Sequence, residues 1–335
     1  MKILVIGGSG YIGKHICYEL FKHNINFLSV DLLKPEDELI NTIYSNSNNE
    51  YIVEDFLLIE DIPQDFDFII NCAAFSNARE FKEGQFIYNN RLNENACSLA
   101  IKKNAHLIFM SSSATYIPSN KRHIFNYDDI EKEKINSVYE LNEYGQSKLH
   151  SENFMLMCGN DLSFTSLRLF NVVGNSLEIN IGEEHIPETH ILPNIYDAIH
   201  NDKYFRINGN KFKTDDGTCI RSYIDVRDVS DAVLKVVLKN NNNKNPLREF
   251  YNVCNEANEY SILEVYNKFL KQYNNYYGMN KKSKFYFCSN SEYDYPIIKG
   301  SNEETIKKLN WIPKYDLYDS IISLIQYRKK KEEKR

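Results

Sequence analysis

The stretch "KILVIGGSGYIGKHICYELFKH", residues 2 to 23, constrains the fold more than any other part of the chain. Its unbroken apolar run, Ile3 to Ile6, predicts a strand buried on both faces. The run leads into Gly7, Gly10 and Gly13, spaced three apart, and then into helical spacing at Ile12, Ile16, Leu20 and Phe21. Such a segment must turn tightly from strand into helix. Glycine permits the turn and lets backbone approach a bound group with no Cβ in the way. The helix that opens there aims free N–H groups forward, a setting that suits a pyrophosphate.

The next segments extend this pattern. A second strand, "NFLSVDLL", ends near Asp31, where an acid about 20 residues past the glycines is placed to bind adenosine ribose hydroxyls. The same carboxylate repels a 2′-phosphate, and no arginine follows closely, so NAD(H) is expected over NADP(H). "EYIVEDF" brings Asp55 to a strand end. "DFDFIINCAAF" predicts a buried strand running into Ala73 and Ala74, small enough for a cofactor to lie close. "YNNRLNENACSLAIKKN" predicts a helix and "HLIFMSSSATY" another strand. This alternation implies an α/β fold with a doubly wound parallel sheet and ligands at the strand C-termini.

Composition narrows the class. A formal net charge of -6 argues against a general nucleic-acid binder, and the basic end "YRKKKEEKR" reads as a solvated helix end. Seven Cys without a C-x-x-C pair suggest a reducing compartment. No metal-ligand spacing stands out among the eight His, so no metal is expected. "MKILVIGG" is too short an apolar run for a signal peptide, and no stretch is long enough to span a membrane. A soluble, cytoplasmic protein is expected. The tract "NNNNKN" reads as a loop.

"NEYGQSKLHSE", residues 142 to 152, places Tyr144 and Lys148 on one helix face. An ammonium near a phenol favours the phenolate, which lowers the tyrosine pKa and suits it to take a proton from an alcohol. Many Tyr and Lys occur in this chain, so the pair alone does not separate a catalytic centre from a surface helix. Tyr139 is the nearest rival base, but Glu143 stands at its i+4 position and would raise its pKa.

The motifs "GGSGYIG", "NCAAFSNARE", "FMSSSATY" and "YGQSK", with "RLFNVVG", "IPETHILP" and "TDDGTCIRSYIDVRDVSDA" in the second half, resemble the extended short-chain dehydrogenase/reductases. Within that group the chain is most similar to the UDP-glucose 4-epimerases, along nearly its whole length. The resemblance implies a Rossmann-like first domain holding NAD and a smaller α/β C-terminal substrate domain. Expected boundaries are 1–172 for the first, with later segments near 222–255 returning to it, 173–330 mainly for the second, and a basic tail at 331–335.

The resemblance also implies roles. Ser113 matches the catalytic serine, Tyr144 the base, and Lys148 the lysine that bonds the nicotinamide ribose and lowers the Tyr144 pKa. Gly7, Gly10, Tyr11, Ile12 and Gly13 would hold the cofactor's phosphates. Asp31, Asp55, Phe56, Ala73, Ala74 and Asn90 would line the rest of its site. Asn171, Thr189, His190, Arg221 and Asp294 would contact a nucleotide-sugar substrate, with Arg221 on the diphosphate. Three departures stand out. Ser291 falls where a second diphosphate arginine is often found, and Asn208 where an aromatic covers the uracil. A residue is also missing between "SSSAT" and Tyr116. Lys211, Lys213 and Lys299 are candidate replacements for the missing charge, and Ile298 falls near the position that limits sugar size.

The implied reaction is 4-epimerisation through a 4-keto sugar. Loss of water is not expected, because Ala114 and Thr115 replace the acidic pair that dehydration needs. A net 4-dehydrogenase or reductase would use the same residues. A dinucleotide-binding regulatory protein would not need the tyrosine. The resemblance further implies a homodimer formed through two first-domain helices, one of which carries Tyr144.

Overall fold

The computed structural model describes residues 1–45, 47–76, 81–117, 123, 141–185, 187–241, 246–289 and 295–334. Strand β1 (Lys2–Ile6) runs into helix α1 (Tyr11–Lys22), then β2 (Asn26–Asp31), β3 (Glu50–Val53) and β4 (Phe68–Asn71). Helix α2 (Glu83–Lys103), β5 (His106–Ser112), α3 (Glu143–Met157) and β6 (Phe164–Leu169) come next. These strands join β10 (Arg248–Val253) in one parallel sheet of order β10-β6-β5-β4-β1-β2-β3.

Period-two alternation builds a core on each face of this sheet. Ile3 and Val5 pack with Ile16, Leu20, Ile70, Val229 and Val233 on one side. Leu4 and Ile6 pack with Ile69, Leu92, Ala96, Leu107 and Met155 on the other. Helices α1 and α5 (Val226–Asn240) cover the first face, and α2 and α3 the second. Strand order reverses at β1: β2 and β3 build outward on one side, and β4, β5 and β6 on the other. The carboxyl ends of β1 and β4 flank this reversal, and a crevice there is the place where doubly wound sheets bind ligands.

The second layer of structure is smaller. Strand β9 (Ile220–Asp225) is its centre, paired with β7 (Asn171–Val173), β11 (Glu259–Ser261) and β13 (Ile297–Ile298). A parallel pair, β8 (Phe205–Asn208) and β12 (Phe285–Cys288), lies apart. Helices α4 (Ile191–His200), α6 (Ile262–Tyr277) and α8 (Leu317–Glu333) enclose a core rich in tyrosine, with Tyr196, Tyr223, Tyr266, Tyr273 and Tyr327 buried. Helix α7 (Glu303–Leu309) returns to pack on β10 and α5.

Local chemistry sets the helix ends. Asn142 caps α3 by accepting from the Gly145 N–H, and Ser261 and Glu264 form a reciprocal capping box at α6. Helix α6 stops at Gly278 in the left-handed conformation. Among the described residues, no helix is long and apolar enough to cross a membrane.

Candidate active site

The glycine loop fits the crevice for steric reasons. Gly7 sits at φ +84°, and a Cβ there would lie 2.7 Å from the Ala73 nitrogen. At Gly13 a Cβ would fall 1.9 Å from the Gly7 oxygen. The glycines and Ala73 therefore bring the β1 turn, the start of α1 and the end of β4 into direct contact. Gly10 is the N-cap of α1 and has no side-chain cap, so the first-turn N–H groups face the crevice unclaimed by a side chain.

Asp31 closes the far side, where Oδ2 accepts from the Ser9 N–H and Oδ1 from the Leu33 N–H, both at 2.9 Å. Asp55 Oδ1 accepts from the Leu57 N–H and the Tyr88 hydroxyl, next to the buried Phe56. Ile12 packs against the first core, and Ala74 follows Ala73 just beyond β4. Two polar atoms on this side, Asn71 Oδ1 and Asn90 Oδ1, are buried without a hydrogen-bond partner. A glycine cradle at a helix N-terminus, an acid on the adjacent strand end and unpaired buried acceptors together fit a dinucleotide.

Tyr144 and Lys148 enter the crevice from α3, one turn apart. Gly145 lets them come in close, since a Cβ there would lie 2.3 Å from the Ala114 oxygen. Lys148 is buried and donates to the Met110 carbonyl at 2.7 Å. Its ammonium stands 5.9 Å from the Tyr144 ring centre and 4.7 Å from that of Phe109. Phe81 meets the Tyr144 ring edge-on at 5.8 Å.

The electrostatics of the protein alone run opposite to the sequence expectation. Burial pushes the Tyr144 phenol up to about 12, and a hydrogen bond with Ser112 only partly offsets this. Burial likewise brings Lys148 down to about 8, against the pull of Cys72 and Glu152. The physical reason is that desolvation disfavours both charged forms, while the ammonium is directed at Met110 rather than at the phenol oxygen.

Ser113 opens a short 3-10 turn, Ser113–Thr115, that packs on α3, and Ser112, the residue before it, acts on the Tyr144 phenol by lowering its pKa. Ser112 Oγ also accepts from the Ala114 N–H at 3.1 Å. Nothing in three consecutive serines tells which one meets the phenol, because their direction is set by how β5 ends. The turn closes with the Tyr116 N–H on the Ser113 carbonyl, and the Tyr116 hydroxyl donates to Asn252 at 2.7 Å.

Behind α3 lies a buried ion pair that the sequence did not signal. Arg168 on β6 donates twice to Glu152 on α3, at 3.1 and 2.7 Å, and Ser166 donates to the same carboxylate. The Arg168 guanidinium also covers the Tyr116 ring at 4.5 Å.

On the substrate side, Arg221 lies on β9 directly opposite Ile298 of β13. Its guanidinium donates to the carbonyls of Ile220 and Tyr295. Asn171 donates to the Ser222 carbonyl at 3.0 Å. Asn208 ends β8 and accepts from Arg206, while Lys299 pairs with Glu259 at 3.2 Å. Lys211 and Lys213 are on the surface. Asp294, Ser291 and Tyr139 lie outside the described residues. Thr189 and His190 lead into α4, away from these strands in sequence but beside Glu183 in space. Burial opposes charge on His190, yet the carboxylates of Glu183 and Glu188 outweigh it and carry the imidazole up to about 10.

Comparison with known proteins finds relatives along nearly the whole chain. The family model for the NAD dependent epimerase/dehydratase family matches residues 3–254. The UDP-glucose 4-epimerase of Lactobacillus helveticus is 31% identical over 338 aligned residues, covering 96% of this chain and 95% of that protein. That of Lacticaseibacillus casei is 29% identical over the same length and the same shares. Among solved structures, the UDP-glucose-4-epimerase from Stenotrophomonas maltophila, with bound NAD and formylated UDP-arabinopyranose, superposes with a TM-score of 0.84 at 22% identity, covering 100% of both chains. The resemblance carried by the sequence motifs therefore holds across the chain, and this protein belongs to the NAD-dependent epimerase/dehydratase family.

Proposed function

We propose that this chain is an NAD-dependent nucleotide-sugar 4-epimerase acting on a UDP-hexose through a 4-keto intermediate. The observation that carries the reading is the placement of Tyr144 and Lys148 one turn apart at the crevice formed by the glycine loop. The near-full-length similarity to proteins named UDP-glucose 4-epimerase supports the substrate class. Bound NAD supplies a hydride acceptor at the sugar carbon and a positive ring near the phenol.

Tyr144 is the group that takes and returns the proton of the sugar 4-hydroxyl, with Ser113 or its neighbour Ser112 steadying that oxygen. Lys148, charged and fixed by Met110, orients the cofactor's ribose. Arg221, Asn171 and the segment at Thr189 and His190 serve the sugar nucleotide, with the Arg221 guanidinium turning from two carbonyls toward the diphosphate. The apolar Ile298 beside Arg221 leaves room for a larger sugar substituent than an aromatic would.

We read the active form as a cytoplasmic homodimer. Helices α2 and α3 pack together and expose Ile87, Ile101 and Met157, and all seven cysteines are free thiols.

Pure protein incubated with a panel of UDP-, GDP-, CDP- and dTDP-sugars tests the reaction. The expected result is conversion of a UDP-hexose to its 4-epimer with no net NADH. Accumulation of NADH with an oxidised sugar would identify a dehydrogenase, and no turnover of any member would overturn the enzymatic reading.

A further inference from the structure

The segment entering α4 gathers four potential metal ligands within eight residues: Glu183, His185, Glu188 and His190. One ligand atom from each lies within 4.8 Å of the other three. Glu183 Oε1 is 2.6 Å from His190 Nδ1 and 3.6 Å from His185 Nδ1. His190 Nδ1 is 3.6 Å from Glu188 Oε1.

His190 and Glu183 attract as an ion pair at 2.6 Å, but the contact lacks hydrogen-bond geometry. Glu183 Oε1, His185 Nδ1, Glu188 Oε2 and His190 Nδ1 are each buried without a hydrogen-bond partner. Glu183 is only 2% exposed, so its carboxylate has no recourse to solvent. One unsatisfied atom from each of four neighbouring residues is costly unless something accepts all four lone pairs at once. A protonated His190 could neutralise one carboxylate, but its ring N–H is not aimed at Glu183 Oε1. Arg328 approaches Glu188 Oε2 at 3.5 Å and offsets part of that charge.

We propose that Glu183, His185, Glu188 and His190 bind a divalent transition metal of the zinc type. Two imidazoles and two carboxylates suit such an ion in four-coordinate geometry. Bonds of about 2.0–2.1 Å place tetrahedral ligand atoms about 3.4 Å apart. The 3.6 Å separation of Glu183 Oε1 and His185 Nδ1 already matches this. Glu188 Oε1 accepts from the N–H groups of Thr189 and His190, which fixes the carboxylate and leaves Oε2 for the ion.

The metal acts as a staple. It ties Glu183, His185, Glu188 and His190 together beside Tyr11, whose phenol is raised by burial and by the Glu183 charge and whose hydroxyl donates to the Gly174 carbonyl at 2.6 Å. The segment so held contains Thr189 and His190, so the ion sets the position of that wall of the crevice without touching the reacting atoms. This inference does not depend on which sugar nucleotide is the substrate.

The test uses the full chain without a histidine tag, stripped with a chelator, loaded with Zn²⁺ and passed through gel filtration. Elemental analysis is expected to find one zinc per chain in the wild type. His185→Ala and Glu188→Gln should lose that zinc while keeping their circular dichroism spectrum and bound NAD. Co²⁺ should produce a visible absorption band that added Zn²⁺ abolishes. Glu188→Gln preserves the acceptor for the two backbone N–H groups and so guards against misfolding of the alanine variant. Loss of zinc from either folded variant supports the site. A wild type without stoichiometric zinc, or zinc retained in both variants, overturns it.

Discussion

Burial affects Tyr144 and Lys148 in opposite directions for one reason: a charge in a low-dielectric setting costs free energy whatever its sign. The phenol rises to about 12 and the ammonium falls to about 8, so both residues tend toward neutrality in the protein alone. In the role we propose for it, the phenol relies on positive charge brought in with the cofactor. Tyr144→Phe is expected to keep the fold and NAD binding while turnover drops by about 10² to 10⁴. Steady-state kinetics with near-normal turnover would remove Tyr144 from the role of base. Lys148→Ala should lower both activity and NAD affinity, which a cofactor titration reads separately. Asp31 accepts from two loop N–H groups as well as facing the crevice. Asp31→Ala should therefore weaken NAD binding and narrow the gap to NADP, and a wild type that prefers NADP would contradict that role.

Helix α3 is held from behind by a pair that has no slack. Arg168 and Glu152 are both almost fully buried, and Ser166 adds a third hydrogen bond to the Glu152 carboxylate. Arg168→Met leaves an uncompensated buried carboxylate, and stability should fall by about 3–5 kcal/mol. Adding Glu152→Leu to that variant should recover much of the loss, because both charges are then gone. Urea unfolding of the two variants measures the difference, and equal loss in both would show that packing, not charge, dominates there. This pair was not legible in the sequence. Its members are 16 residues apart and meet only because β6 lies beside β5 under α3. The glycine loop was legible because strand, turn and helix are contiguous, so sterics alone fix it. Tyr144 and Lys148 were legible as one helix face, but their pKa shifts were not, since burial depends on Phe81, Phe109 and Met110 arriving from elsewhere. The cluster at Glu183 to His190 was not legible as a His and Cys spacing because half of its members are glutamates.

The fold as a whole stores acid sensitivity in neutral histidines. Burial holds His15 near 3 and His106 and His123 near 4, each below the usual imidazole value. For a depressed base the unfolded chain binds the extra proton, so stability is present above about pH 6.5 and is lost as pH falls toward 4. Asp228 opposes this, since burial raises it to about 7 and its contribution grows in acid. Among these four groups the histidines outweigh the acid. Urea midpoints should fall from pH 7 to pH 5, and His106→Gln should reduce the fall by on the order of 2 kcal/mol. An unchanged pH slope in that variant would show that His106 is not a source. The order of strands in the main sheet carries a last consequence, for synthesis rather than chemistry. Its terminal strand, residues 248–253, is made only after much of the second layer has left the ribosome, yet it pairs with residues 164–169. A chain that has emerged only to residue 172 therefore shows Phe164 and its neighbours as an open apolar edge for the time taken to translate the next 80 or so residues. Fragments cut there should aggregate, whereas cuts beyond residue 254 leave that sheet complete.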